Sequence, residues 1–113
     1  MSRRSIPILD GAFTVMVVYE CEPTQSEEFA AGLAKFIAAG MRRHPGFLSA
    51  LVYLSEDGRR VVEHFQWVRA EDWAAYRISD EGREALHWMG RRHPEVHYLE
   101  LVQSIVTALP ESP

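Results

Sequence analysis

Cysteine is almost missing from this sequence: of 113 residues only Cys21 carries a thiol. One thiol cannot close an intramolecular disulfide or supply a cysteine-built zinc site, and Cys21 reads as a small buried thiol closing a strand. Lysine is as scarce. Lys35 is the sole lysine among 12 basic residues, which stand against 16 acidic ones for a net charge of −4. The basic stripe of a nucleic-acid binder is therefore absent, and no nucleic-acid partner is expected. Long apolar runs are lacking too: the longest, around Val15 to Tyr19, falls far short of the roughly 18 residues that span a bilayer, so no membrane partner is expected. Met1 to Leu9 holds an arginine pair and then four mostly apolar positions before Asp10-Gly11, fewer than the about 7 to 15 of a signal-peptide core. A cytoplasmic location is the expectation. No glycine-rich strand-to-helix loop offers a phosphate cradle.

What is present describes one domain over residues 1–113, with a core at about 13–107, an N-terminal arm over 1–12 and a tail over 108–113. The 47% hydrophobic content supports a core, yet a chain this short buries only roughly 60 to 70% of its unfolded surface, so covering an open sheet face by dimerising would help it.

Phe13 to Glu20 is short, β-branched and aromatic, hence a strand. Thr24 with Glu27 matches a capping box, with Ser26 as a rival cap, and Phe29, Leu33, Phe36, Ile37 and Gly40 then recur at three and four, one apolar face of a helix. Arg42-Arg43-His44 suits the helix's negative end, and Pro45-Gly46 stops it. Phe47 to Leu54 is a strand apolar on both faces, so neither face can be left wholly in water. Asp57-Gly58 marks a hairpin, because glycine tolerates positive φ. The returning strand, Arg60 to Trp67, puts Val61, Glu63, Phe65 and Trp67 on one face and Val62, His64 and Gln66 on the other. A second helical region opens at Ala70-Glu71-Asp72-Trp73, with Ser79-Asp80-Glu81-Gly82 as its point of interruption, and runs to Arg91-Arg92. His93-Pro94 breaks it, and Val96 to Thr107 reads as a long last strand.

The order strand, helix, strand, strand, helix, strand is the ferredoxin-like βαββαβ arrangement of the α+β class: a four-stranded antiparallel sheet with two helices on one face. The bare face and the two-sided strand Phe47 to Leu54 predict a homodimer packed sheet on sheet, with Val96 to Thr107 and its neighbours in the contact.

For chemistry, the five histidines at 44, 64, 87, 93 and 97 show no metal-ligand spacing. No metal site is expected. The informative cluster is Glu63, Phe65 and Trp67 on one strand face opposite Trp73, Tyr76, Asp80, Arg83 and His87, the last four of which share a side if the second helix is continuous. A groove of indoles, a phenol, a guanidinium and one carboxylate suits a flat aromatic ligand bearing oxygen substituents. The bland alternative makes both tryptophans plain core and pairs Glu63 with Arg83.

His44-Pro45-Gly46-Phe47-Leu48-Ser49-Ala50, followed by Asp57-Gly58, Val61-Val62 and Gln66-Trp67, resembles the antibiotic biosynthesis monooxygenase family. These are small dimeric α+β barrels in which the strand after the first helix opens with Pro-Gly-Phe and the third strand ends in Gln-Trp. The likeness runs from Phe13 to Thr107 and is strongest from Pro45 to Trp67. It implies a cofactor-independent monooxygenase that oxidises anthrone-like phenolic polycycles or quinols with molecular oxygen, using no flavin, haem or metal. The resemblance puts Trp67 on the family's pocket-shaping tryptophan and Arg83 on its helix arginine. The chain departs from the pattern at Glu63, where the aromatic-polyketide oxygenases have asparagine, and at Tyr53, where a histidine is expected. Glu63 becomes the base itself if burial raises its pKa towards neutrality. The expected catalytic set is therefore Trp67, Arg83, Glu63 and Tyr76, and the expected substrate-binding set is Phe65, Tyr53, Trp73 and His87. Two alternatives remain: a haem-binding or haem-degrading relative with His87 as axial ligand, and a non-catalytic ligand-binding dimer.

Overall fold

A computed structural model describes residues 10–107. Most of the N-terminal arm and the tail read from the sequence lie outside them. The chain runs β1 (Phe13–Glu20), α1 (Ser26–Ala39), a 3-10 turn (Met41–Arg43), β2 (Phe47–Leu54), β3 (Arg60–Trp67), α2 (Ala70–Ile78), α3 (Asp80–Gly90) and β4 (Glu95–Glu100). The strands form one antiparallel sheet in the order β2-β3-β1-β4. This is the ferredoxin-like α+β fold, with its helices on one side.

Strand alternation builds the two faces. Val15, Val17 and Tyr19 of β1 and Val61, Glu63, Phe65 and Trp67 of β3 point inward and are buried. Phe29, Leu33 and Ile37 of α1, Trp73 and Tyr76 of α2, and Ala85 and Met89 of α3 close over them as one core. The opposite face carries Met16, Val18, Leu51, Val62, His64 and Leu99, and among the described residues no helix lies on it. The β2–β3 turn places Gly58 at φ 72°, as its Asp-Gly signature demands. Among the described residues, no helix is long and apolar enough to cross a membrane.

Three local expectations are corrected, and the interruption expected at Ser79-Asp80-Glu81-Gly82 is found there. Helix α1 follows Gln25 without a side-chain cap, and Ser26 Oγ instead donates to the Pro23 carbonyl at 3.2 Å, so the Thr24–Glu27 box does not form. The same helix ends at Ala39, and Arg42 and Arg43 fall in the 3-10 turn rather than in its last turn. The second helical region is broken at the expected place into two helices. Ser79 is extended at ψ 158° and its Oγ accepts from the Gly82 amide at 3.0 Å, which starts α3 afresh. A Cβ at position 82 would collide with the Tyr76 carbonyl, so the close junction requires glycine. Finally, β4 spans six residues instead of running to Thr107. Its partner β1 begins at Phe13, opposite Glu100. Among the described residues the last backbone exchange is Gly11 to the Leu101 carbonyl at 2.6 Å and Leu101 to the Ala12 carbonyl at 3.0 Å, after which Ser104 bonds the Asp10 side chain from its amide at 3.0 Å and its hydroxyl at 2.8 Å.

Candidate functional site

Glu63 is the feature of the interior that demands explanation. Its carboxyl sits mid-strand on the inward face of β3, with 0% of the residue exposed. The hydroxyl of Tyr19 donates a 2.6 Å hydrogen bond to Glu63 Oε1, while Oε2 has no partner among the described residues. Register explains the contact: Val17 faces Glu63 across the ladder and Tyr19 faces Val61, so Tyr19 is the diagonal neighbour on the same face. Burial disfavours the carboxylate and lifts the Glu63 pKa to about 7, opposed by the hydrogen bond from Tyr19. The Tyr19 phenol is pushed far above its ordinary value, first by burial and then by the adjacent carboxylate.

Tyr19 also lines a cleft of about 180 Å3 between β4 and the helices, walled by Val17, Phe65, Trp73, Leu86 and Tyr98 and edged by Arg77. The cleft adjoins a shallower basin of about 340 Å3 that shares Trp73, Arg77 and Tyr98. Aromatic faces dominate the enclosure: Phe65 stacks on Trp73 at 6.1 Å, and Trp67, Trp73 and Tyr76 are mutually within 5.9 Å between centroids. The Arg77 guanidinium lies 5.8 Å from the Trp73 ring centre, the cation of this mouth. The indole Nε1 atoms of Trp67 and Trp73 are buried and unpartnered.

The expected site residues therefore separate. Phe65 and Trp73 form the cleft wall, and Glu63 stands behind it through Tyr19. Trp67 is fully buried and backs Trp73, with Phe47 edge-on at 5.5 Å. Tyr76 is buried, T-stacked on His44 at 4.8 Å, and lines a smaller cavity with Glu63. Three placements are corrected. Arg83 and His87 are exposed on α3, because the break at Ser79 resets the helical phase that would have aligned them with Tyr76. His87 does not line the cleft, so the axial-ligand role loses its geometry. Tyr53 is half exposed and pairs with Val62, on the sheet face opposite the cleft. Sequence reasoning missed Tyr19 and Arg77. The inward phase of Val15 and Val17 pointed to the first, and the i,i+4 spacing from Trp73 pointed to the second. Among the described residues, no three His, Cys, Asp or Glu side chains gather in a group able to hold a metal ion.

Comparison with known proteins agrees with this architecture. In sequence, the chain is 35% identical over 63 residues to the tetracenomycin-F1 monooxygenase of Streptomyces glaucescens, a match spanning 56% of this chain and 56% of that protein's length. In structure, it resembles a monooxygenase from the gene ActVA-Orf6 of Streptomyces coelicolor, solved in complex with nanaomycin D, at a TM-score of 0.64 and 22% identity over 87% of this chain and 94% of that one. A conserved protein from Methanosarcina mazei superposes with a TM-score of 0.67 at 15% identity, covering 80% of this chain and 92% of its own. These likenesses in structure carry the fold alone. The description of the antibiotic biosynthesis monooxygenase family matches residues 12–88, and with more than half of its length covered the chain belongs to that family.

Proposed function

We propose that this protein is a cofactor-independent monooxygenase that oxidises a phenolic polycycle of the anthrone or quinol type with molecular oxygen. Family membership and the similarity to a tetracenomycin-F1 monooxygenase support the reaction class. The observation that carries the chemistry is Glu63: a buried carboxyl, ready to change protonation near pH 7 and hydrogen-bonded to a tyrosine in the cleft wall. Its pKa matches the task of a general base at neutral pH.

The flat substrate lies against Phe65 and Trp73, with Arg77 over the mouth. Its acidic proton passes to the Tyr19 oxygen as Tyr19 gives its own proton to Glu63 Oε1, so no free tyrosinate forms. Arg77 holds the resulting anion. That anion supplies the electrons to dioxygen: one oxygen atom becomes bonded to the ring carbon, and the other leaves as water, taking up the proton that Glu63 held and the second hydrogen of the oxidised carbon. A low-dielectric aromatic enclosure strengthens each fixed donor acting on the anion. In this reading Trp67 and Tyr76 position the wall and the base. Arg83 stands outside the site. A homodimer, with a second copy over the outer sheet face, completes the assembly.

The test is oxygen uptake with a panel of anthrones and quinols, using metal-free, flavin-free protein. Uptake that disappears in Glu63→Gln supports the proposal, and wild type that consumes no oxygen with any member overturns it.

A further inference from the structure

Glu63 has a second outlet that the cleft does not use. A cavity of about 10 Å3 is lined by Glu63 and Tyr76 and otherwise by Leu33, Phe36, Ile37, Met41, Ala85 and Met89. It is separate from the cleft but shares Met89 with it. Phe36 and Tyr76 also line a surface groove of about 400 Å3 between α1 and α3, where Lys35, Gly40, Glu81 and Glu84 complete the wall. Tyr76 thus stands between an interior cavity and the outside.

The polar atoms fit one small occupant. A volume of roughly 10 to 15 Å3 is what a single water needs, provided it finds two or more polar partners. Glu63 Oε2 is buried and unpartnered, and among the described residues the Tyr76 hydroxyl has no protein hydrogen bond. An orphaned carboxyl oxygen on a residue that lines a water-sized space is a strong demand for a partner. The Tyr76 phenol is raised to about 12 by burial, then by Glu81 and by Glu63, so it feels a carboxylate on either side. Glu81 Oε2 in turn lies 3.3 Å from His44 Nε2. Of the elements packed on Glu63, β1 presents Tyr19 and α2 presents Tyr76 as titratable groups, while α1, the 3-10 turn and α3 present only apolar side chains.

We propose that this cavity holds a water bridging Glu63 Oε2 and the Tyr76 hydroxyl, and that Tyr76 relays protons between that water and the solvent-filled groove lined by Glu81. Glu63–H gives its proton to the water, the water passes one of its own to the Tyr76 oxygen, and Tyr76 releases its original proton to water in the groove, which passes one of its own to the Glu81 carboxylate and so to solvent. No other bond changes, no electron moves, and the sequence runs equally in reverse. The route matters because substrate fills the cleft in front of Tyr19, leaving the buried acid to equilibrate with solvent from behind. The importance of the relay rests on Glu63 being the base; the relay itself does not need substrate. Tyr76 and Glu81 are positioning residues here.

The test uses the free protein. The carboxylic C=O infrared band of Glu63, identified by its loss in Glu63→Gln, is followed after a jump from about pH 6 to about pH 8, on either side of its titration. Tyr76→Phe should slow the decay of that band at least about tenfold with little change in its midpoint, and Glu81→Gln should slow it less, with recovery as imidazole buffer is raised. Glu81 is exposed, so Glu81→Gln decides the matter if Tyr76→Phe does not fold. Decay within twofold of wild type in the variants, or a high-resolution crystal structure with the cavity dry, overturns the relay. Failure of the oxygenase proposal shows separately, as no oxygen uptake by wild type, and the infrared comparison judges the relay either way.

Discussion

Tyr19 and Glu63, on adjacent antiparallel strands and offset by two residues in register, share a 2.6 Å hydrogen bond in the centre of the core. One partner faces the cleft and the other does not. The pair therefore couples a solvent-shielded acid to a substrate surface through one hydroxyl, and the distance is that of a strong oxygen-to-oxygen hydrogen bond. Such a pair has thermodynamic and kinetic signatures that can be measured apart.

The thermodynamic signature is a pH-dependent cost. The unfolded carboxyl titrates near its ordinary 4.5 and the folded one at about 7, so the folded state keeps a proton that the unfolded state has lost. Below about pH 4.5 both forms are protonated and the ionisation of Glu63 adds no cost; stability then falls through the window up to about 7 and stays lowered above it, by roughly 3 kcal/mol at most. Urea titrations of wild type and Glu63→Gln should show the variant gaining stability relative to wild type between about pH 4.5 and 7. A difference that does not change with pH would remove the buried-acid account.

The kinetic signature follows from the relay at the front of the site. In kcat/KM against pH, activity should rise as Glu63 ionises, with its limb near pH 7. Tyr19→Phe keeps the ring that packs edge-on with Phe29 at 4.9 Å but breaks the path to the acid. Both Tyr19→Phe and Glu63→Gln should lose about 10²- to 10⁴-fold in turnover, the usual range for removing an acid–base group. Loss in Glu63→Gln alone would show that substrate meets the carboxyl directly.

The cation of the site can be assigned by comparing two arginines. Arg77 edges the cleft and lies over Trp73, whereas Arg83 is exposed on α3. Arg77→Ala should raise the barrier by about 2 to 4 kcal/mol if it faces developing negative charge. Arg83→Ala should stay within about 0.5 kcal/mol of wild type in both activity and stability, as a plain surface substitution does. Steady-state oxygen uptake by the two variants, measured side by side, makes the assignment; the reverse order would restore the helix arginine implied by family resemblance.

The contrast between these arginines also marks how far the sequence could be read. Period-two alternation in β3 was enough to place Glu63, Phe65 and Trp67 on one inward face, because a strand cannot shift its phase without turning every side chain over. Helical phase is more fragile. The chain from Tyr76 to His87 carries residues at four, three and four that align only on an unbroken helix, and the hydroxyl of Ser79 caps a new one instead. That single serine displaces Arg83 and His87 from the site and leaves Arg77, on the earlier helix, at its mouth. Tyr53 enters the expected site through the family resemblance alone, and because Phe47 to Leu54 is apolar on both faces, alternation offers no independent check on which side it takes. The Tyr19–Glu63 bond depends on pairing register between strands, which hydropathy does not encode.

Trp67 separates wall from fold. It is fully buried, yet its Nε1 has no partner, so Trp67→Phe orphans no acceptor and removes only ring volume. The change should cost about 1 to 3 kcal/mol, less than truncation to alanine, and leave a cooperative thermal transition. Because Trp73 and Tyr76 pack on the lost indole at 5.8 and 5.7 Å, the wall loosens and turnover should fall more than stability. A fluorescence melt beside an oxygen-uptake assay checks both halves.

The last expectation concerns assembly. The outer sheet face presents Met16, Val18, Leu51, Val62 and Leu99 with no helix over them, and Leu99 and Tyr53 are 44% and 50% exposed in the isolated chain. A sheet face with this many apolar side chains, interrupted by His64 and by the polar row Thr14, Gln66 and Ser49, is the kind of surface that a stable interface uses, about 1,200 to 2,000 Å2 counted over both partners. A second copy packed sheet on sheet buries it symmetrically. Wild type should therefore sediment at twice the 12.9 kDa of the chain at micromolar concentration. Val62→Glu, near the middle of that face and opposite Val18, puts two like charges into the apolar contact, one from each copy, where desolvation costs several kcal/mol per ion. The variant should sediment as a monomer while keeping its far-ultraviolet circular dichroism, since the substituted side chain points away from the helix-covered core. A wild-type protein that sediments at 12.9 kDa would remove the dimer, and a Val62→Glu variant that remains dimeric would place the interface elsewhere.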